Sequence, residues 1–141
     1  MSATPPLTKT KLIELLKAAP TLANVYIARH LPGVLPQEKE RIYIVGTREL
    51  RRDGGRGPRN ETYDLELLCE VANVGGTATQ AEDRCWELFD AIDGIVDANE
   101  ELKGTVWEAE VAAANENTGP TDSGWISKVD LRISIRAVGG G

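Results

Sequence analysis

The chain has 141 residues, a formal net charge of −6, one histidine and two cysteines. A chain of this length fits one domain, and a domain of ~150 residues buries roughly 68–70% of its unfolded surface. We therefore expect an apolar core that needs no metal or disulfide. The overall acidity disfavours general nucleic-acid binding. No apolar run approaches the length of a membrane span, and the N-terminus lacks the apolar segment of a signal peptide.

The two parts of the chain carry opposite charge. Residues 1–60 contain 11 lysines and arginines against 5 aspartates and glutamates, whereas residues 61–141 contain 5 against 17. The resulting balances are +6 and −12, which together give the net charge of −6. Such a division suits a protein whose copies meet head to tail. Solvated surface of both signs is the alternative explanation.

The first part of the chain predicts one helix and two strands. Apolar residues at helical spacing predict a helix from about Thr8 to Ala19, which Pro20 ends because proline cannot extend it. Asn24–Arg29 reads as a short strand, and a proline-punctuated loop follows at Leu31–Pro36. Arg41–Thr47 is apolar on both faces, which is typical of a central strand.

The segment from Arg48 to Asn60 is rich in arginine and turn-forming residues. Glycines and a proline leave it little to bury, so it is predicted to be a long, mobile hairpin connection. It lacks the lysine and following serine or threonine of a phosphate-binding loop. It also lacks the aromatic residues that single-strand binders use for stacking, so we favour contact with protein over nucleic acid. The arginines proposed as an assembly interface are Arg48, Arg51, Arg52, Arg56 and Arg59.

The second part of the chain begins with a clear strand and a capped helix. Apolar residues alternate from Tyr63 to Val71, as in a strand with one covered face. Thr77 and Gln80 have the spacing of a capping box, which predicts that a helix begins there. The apolar stripe of that helix is Ala81, Cys85, Leu88, Phe89, Ile92, Ile95 and Val96.

Two further strands are predicted at Thr105–Ala114, with Trp107 on its covered side, and at Trp125–Ala137, joined by a polar loop at Asn115–Gly124. The fold class is therefore α+β: a mostly antiparallel sheet of four to five strands with two helices packed on one face. Residues 1–138 are expected to form one domain and residues 139–141 a disordered glycine tail.

Residues suited to catalysis or metal binding are few. His30 has no serine or cysteine signature around it, so we expect a partly exposed loop histidine. One histidine and two cysteines cannot supply a zinc tetrad, and Cys69 and Cys85 are expected to be buried thiols. Asp90, Asp93 and Asp97 share part of a helix surface, but an evenly acidic face is usually only solvated. No enzyme is predicted.

The order of these segments resembles the tail terminator, or tail completion, proteins of long-tailed bacteriophages. The front half resembles that family through a leading helix, a strand at Val25–Ile27, a proline and glycine loop ending at Pro36, and the strand at Arg41–Thr47. The back half is more similar, and the segments that carry the similarity are Glu61–Leu67, the helix with Ala81, Arg84 and Leu88, and Leu102–Trp107.

The resemblance implies a ring, typically of six copies, that caps the tail tube, ends its polymerisation and joins the tail to the head connector. It implies no cofactor and no catalytic residue, a location in the virion tail or neck after assembly in the host cytoplasm, and DNA that passes through the ring without specific recognition. Another phage neck or head-tail connector protein is the nearest alternative. A nucleic-acid-binding module using the arginines, and a small ligand-binding domain around His30, Tyr26 and Tyr43, are the others.

Overall fold

A computed structural model describes residues 3–34, 36–53, 60–102, 106 and 108–138. Its two helices are α1 (Pro5–Ala18) and α2 (Ala78–Ala98), and a short 3-10 turn at Pro20–Leu22 follows α1. The strands are β1 (Tyr26–Ala28), β2 (Glu40–Arg52), β3 (Asn60–Val74), β4 (Glu108–Thr121) and β5 (Gly124–Val138). Trp107 and the residues 139–141 lie outside the described residues.

The five strands form one sheet in the order β1-β2-β3-β5-β4. β1 is parallel to β2, and every other neighbouring pair is antiparallel. The predicted α+β class with a mostly antiparallel sheet and two helices is confirmed. Since β1 reaches only Arg41–Tyr43 of β2, the longer part of β2 lies at an edge of the sheet, and β4 forms the opposite edge.

The core lies between one face of the sheet and the two helices. Leu67 pairs with Leu131 and Cys69 with Val129 across β3 and β5, so these side chains share the covered face. The Cys85 thiol of α2 donates to the Cys69 carbonyl at 3.4 Å. The buried residues that α2 contributes are Ala81, Cys85, Leu88, Ile92 and Val96. Phe89 and Ile95, which the stripe also predicted, are half-buried and pack against this core.

Two predicted loops are largely strand. β2 continues through Arg52, and Arg51 and Arg52 pair in register with Thr62 and Glu61. The predicted loop at Arg48–Asn60 is therefore wrong for its first five residues, while residues 54–59 lie outside the described residues. The predicted polar loop at Asn115–Gly124 is also wrong, because β4 runs to Thr121. Pro120 fits there since an edge strand can lack one backbone donor.

The uncovered face of the sheet is polar and internally paired. Arg41 and Glu70 form a buried ion pair at 2.8 Å, and Lys128 lies 3.6 Å from the same carboxylate. Further along the sheet, an Arg132 nitrogen lies 3.8 Å from an Asp64 oxygen. Because cations of β2 and β5 flank carboxylates of β3, the charges of this face largely neutralise each other.

The capping box at the start of α2 is formed as predicted. The Thr77 hydroxyl accepts from the Gln80 amide at 3.1 Å, and the Gln80 side chain accepts from the Thr77 amide at 3.0 Å. Arg84 then joins α2 to the start of β2 through two hydrogen bonds of 2.8 Å to the Glu40 carboxylate. The start of α2 is thus held by local and long-range polar contacts.

Replacing Thr77 by alanine removes the hydroxyl acceptor of the capping box, so we expect a loss of about 1 kcal/mol in the free energy of unfolding. Chemical denaturation measures this difference. Thr79→Ala is the matched control, because Thr79 is exposed in the same first turn without a capping role. Equal stability of the two variants would contradict the assigned cap.

Candidate assembly interface

Arg48 and Arg51 lie on the edge strand β2. Arg48 is opposite Asp64 and Arg51 opposite Thr62, which places both on the uncovered side of the sheet. An Arg48 nitrogen lies 3.2 Å from a Glu66 oxygen, yet the Arg48 side chain remains 51% exposed. Arg51 is exposed and has no ion pair within the described residues. Both guanidinium groups are accessible to another molecule.

Arg52 has a different environment. Its Nε donates to the Glu61 carboxylate at 2.6 Å, and the Glu61 side chain is fully buried. The other Glu61 oxygen accepts from the Thr4 amide at 2.9 Å and from the Thr4 hydroxyl at 2.7 Å. Thr4 precedes the first residue of α1, so Glu61 places a negative charge at the N-terminus of that helix. Arg52 therefore supports the fold and is the least available of these arginines for a partner.

Sequence reasoning missed Glu61. The signal was its position two residues before Tyr63 in the alternating series of β3, which places it on the covered face. A buried carboxylate needs partners, and the structure supplies them from α1 and β2. The remaining two predicted interface residues, Arg56 and Arg59, lie outside the described residues.

The partners of Glu61 change its acidity. Burial alone raises the pKa of the Glu61 carboxyl, but the hydrogen bonds from Thr4 and Arg52, together with the charge of Arg52, outweigh it and lower the pKa. A carboxylate whose pKa is lower in the folded than in the unfolded state stabilises the fold above its ordinary pKa. That contribution is lost as the pH falls through the folded-state pKa.

Glu61→Gln should therefore lower the free energy of unfolding by about 1–3 kcal/mol at neutral pH, the usual contribution of hydrogen bonds to a charged group. The difference from wild type should shrink as the pH falls through the lowered pKa of Glu61. Denaturant titrations over a pH series measure both. Glu110→Gln removes an exposed carboxylate as the control, and a Glu61→Gln loss that stays constant with pH would refute the explanation.

An acidic cleft lies at the opposite edge of the sheet. It has a volume of about 210 Å³ and lies between the second half of α2 and the start of β4. Five carboxylates line it: Asp93, Asp97, Glu100, Glu108 and Glu110. Only Glu108 has an ion pair within the described residues, with Arg136 at 3.5 Å. The expectation of a merely solvated acidic helix face missed this cleft because two of its carboxylates come from β4.

The residues considered for catalysis do not converge. His30 is exposed in a bend after β1, and it lines none of the clefts found in the described residues. The Tyr26 and Tyr43 rings pack edge to face with centroids 6.1 Å apart. Cys69 and Cys85 are buried free thiols, and burial raises the pKa of Cys85 to about 11. These contacts are structural.

Two further site types were compared with the described residues. They contain no group of three or more histidine, cysteine, aspartate or glutamate side chains placed to hold a metal ion. Neither helix in this part of the chain combines the length and the apolarity needed to cross a membrane.

The fold is similar to that of a virion component. A chain in the structure of the virion of a native gene transfer agent particle superposes with a TM-score of 0.56 at 10% sequence identity, and 94% of each chain is covered. No protein-family model matches the sequence. A search of curated proteins gives no significant match either. The similarity therefore defines the fold class, an α+β chain that corresponds over nearly its whole length to one in a virus-like particle.

Proposed function

We propose that this protein is a structural component of a phage virion. The observation that carries the proposal is the near-complete correspondence of its fold with a chain of a gene transfer agent virion, at 94% coverage of both chains. Two features of the described residues agree with it. The functional groups suited to catalysis are scattered or buried, while the two free edges of the sheet carry accessible charge of opposite sign.

Within the virion, we propose that it acts as a tail terminator. Copies would form a ring, with six as the expected number, that caps the tail tube, ends its polymerisation and joins the tail to the head connector. The resemblance of the sequence to tail terminators supports this role. Two dissimilar edges on one sheet are also what a ring requires, since each copy must present one surface to the preceding copy and another to the next.

We further propose that DNA passes through the ring without specific recognition. The uncovered sheet face supports this, because Lys128 and Arg132 already lie beside Glu70 and Asp64 of the same chain. Paired cations release few counterions when they meet phosphate, so this face gives a weak contribution to DNA binding. A stable protein-DNA complex with a steep dependence on salt would instead favour a nucleic-acid-binding module.

The proposed function predicts that the purified protein is monomeric or weakly associated in dilute solution and forms closed rings when concentrated or when mixed with tail tubes of the same virion. Light scattering gives the mass in solution, and negative-stain electron microscopy shows whether tube ends carry a cap. Capped tubes should stop growing when more tube protein is added. A stable closed dimer that ignores tail tubes would contradict the proposal.

A further inference from the structure

The two edges of the sheet differ in charge and lie on opposite sides of the same chain. The outer side of β2 beyond Tyr43 has no neighbouring strand within the described residues, and it presents Arg48 and Arg51. The outer side of β4 is likewise unpaired there, and it borders the acidic cleft. The cleft walls come from two elements, β4 and α2, so its carboxylates have a fixed relative placement.

The carboxylates of this cleft lack cations of their own. Asp93, Asp97, Glu100 and Glu110 have no ion pair within the described residues. Like charges held this closely repel one another, and a complementary cationic surface would relieve the repulsion. The described residues do not arrange these groups to hold a metal ion, so a metal is not the source of that positive charge.

The arginines of the same chain cannot neutralise the cleft. β2 and β4 are separated by three interstrand spacings, or roughly 14 Å at ~4.8 Å each. That distance exceeds the Debye length of about 8 Å at physiological salt. Each edge therefore needs another molecule, and a second copy of this chain supplies the complement of both edges at once.

Bulges indicate how such a contact is made. β2 has register shifts between Ile44 and Gly46 and between Arg48 and Arg51, and Glu49 in the second has a φ of 54°. β4 has one between Val111 and Ala113. Bulges at an edge oppose the addition of another strand. Side-chain ion pairs, rather than a continued sheet, are therefore the expected contact.

We propose that the β2 edge of one copy, through Arg48 and Arg51, docks on the acidic cleft between α2 and β4 of the next copy. The inference rests on the proposed ring and names its repeating contact. Because the two surfaces differ, the contact is heterologous, and it closes into a ring if the rotation between copies permits.

A charge exchange tests the contact. Arg48→Glu with Arg51→Glu makes both edges acidic, and Asp97→Lys with Glu110→Lys makes both edges basic. Each double variant should need a ~10-fold or higher protein concentration for half-maximal ring formation, equivalent to the loss of about one strong ion pair. The variant with all four changes has complementary edges again, with the signs exchanged, and should recover ring formation. Electron microscopy and sedimentation velocity measure the assembled fraction.

Controls separate folding and function from the contact. Asp83→Asn with Asp122→Asn removes two exposed carboxylates outside the cleft and should assemble as wild type. Thermal melting identifies any variant that unfolds. In that case Arg48→Gln with Arg51→Gln, and Asp97→Asn with Glu110→Gln, replace the reversals and should each weaken assembly and flatten its salt dependence.

The outcomes distinguish the two proposals. If wild type forms rings and the charge variants form them equally well, the contact assigned here is wrong and the ring remains. The same conclusion follows if folded double variants fail and the fourfold variant is not rescued. If wild type forms no ring on tail tubes, the proposed function fails and the contact fails with it.

Discussion

Burial of the apolar stripe of α2 against the sheet is the interaction on which the rest of the structure depends. Full burial of a leucine or isoleucine side chain contributes about 1.5–3 kcal/mol, and Leu88 and Ile92 are both completely buried. An exposed ion pair contributes about 0–1 kcal/mol. The apolar contact therefore sets the position of α2 over β3, β5 and β4, and polar contacts such as Arg84 with Glu40 refine it.

The same packing determines which surfaces remain free. Since both helices lie on one face, the other face and both edges of the sheet must be stabilised without a second layer. The free face is filled with cross-strand charge pairs, such as Arg132 with Asp64. The edges are bulged and charged, which discourages the addition of strands from other chains. Surfaces of this kind suit reversible, salt-sensitive contacts with copies of the same chain.

The sequence predicted the elements with strong periodicity and missed those without it. α2, β3 and β5 follow from their apolar spacing and, for α2, from the capping box at Thr77. The second half of β4 was unpredictable because both of its sides are largely exposed, so no alternation marks it. The extension of β2 to Arg52 was hidden by arginines, whose register depends on partners in β3 rather than on local preference.

The candidate interface was predictable on one side only. Clustered arginines are visible in any reading of the chain, whereas the acidic cleft combines Asp93 and Asp97 of α2 with Glu108 and Glu110 of β4, which only the packing of α2 beside β4 brings together. Glu61 likewise acquires its role from Thr4, which is 57 residues away in sequence. Long-range packing creates both sites, and local patterns contain little trace of them.

Cross-linking between engineered cysteines tests head-to-tail assembly most directly. Arg51→Cys and Asp97→Cys in one chain place one thiol on each edge, and the buried Cys69 and Cys85 remain shielded from a thiol-specific cross-linker. On tail tubes, our account predicts a ladder of covalent species that extends past the dimer and ends at a closed ring. Each single-cysteine variant is the control and should give no ladder. Cross-linking that stops at a dimer would contradict the account, because it would mean that two copies meet through a symmetric contact.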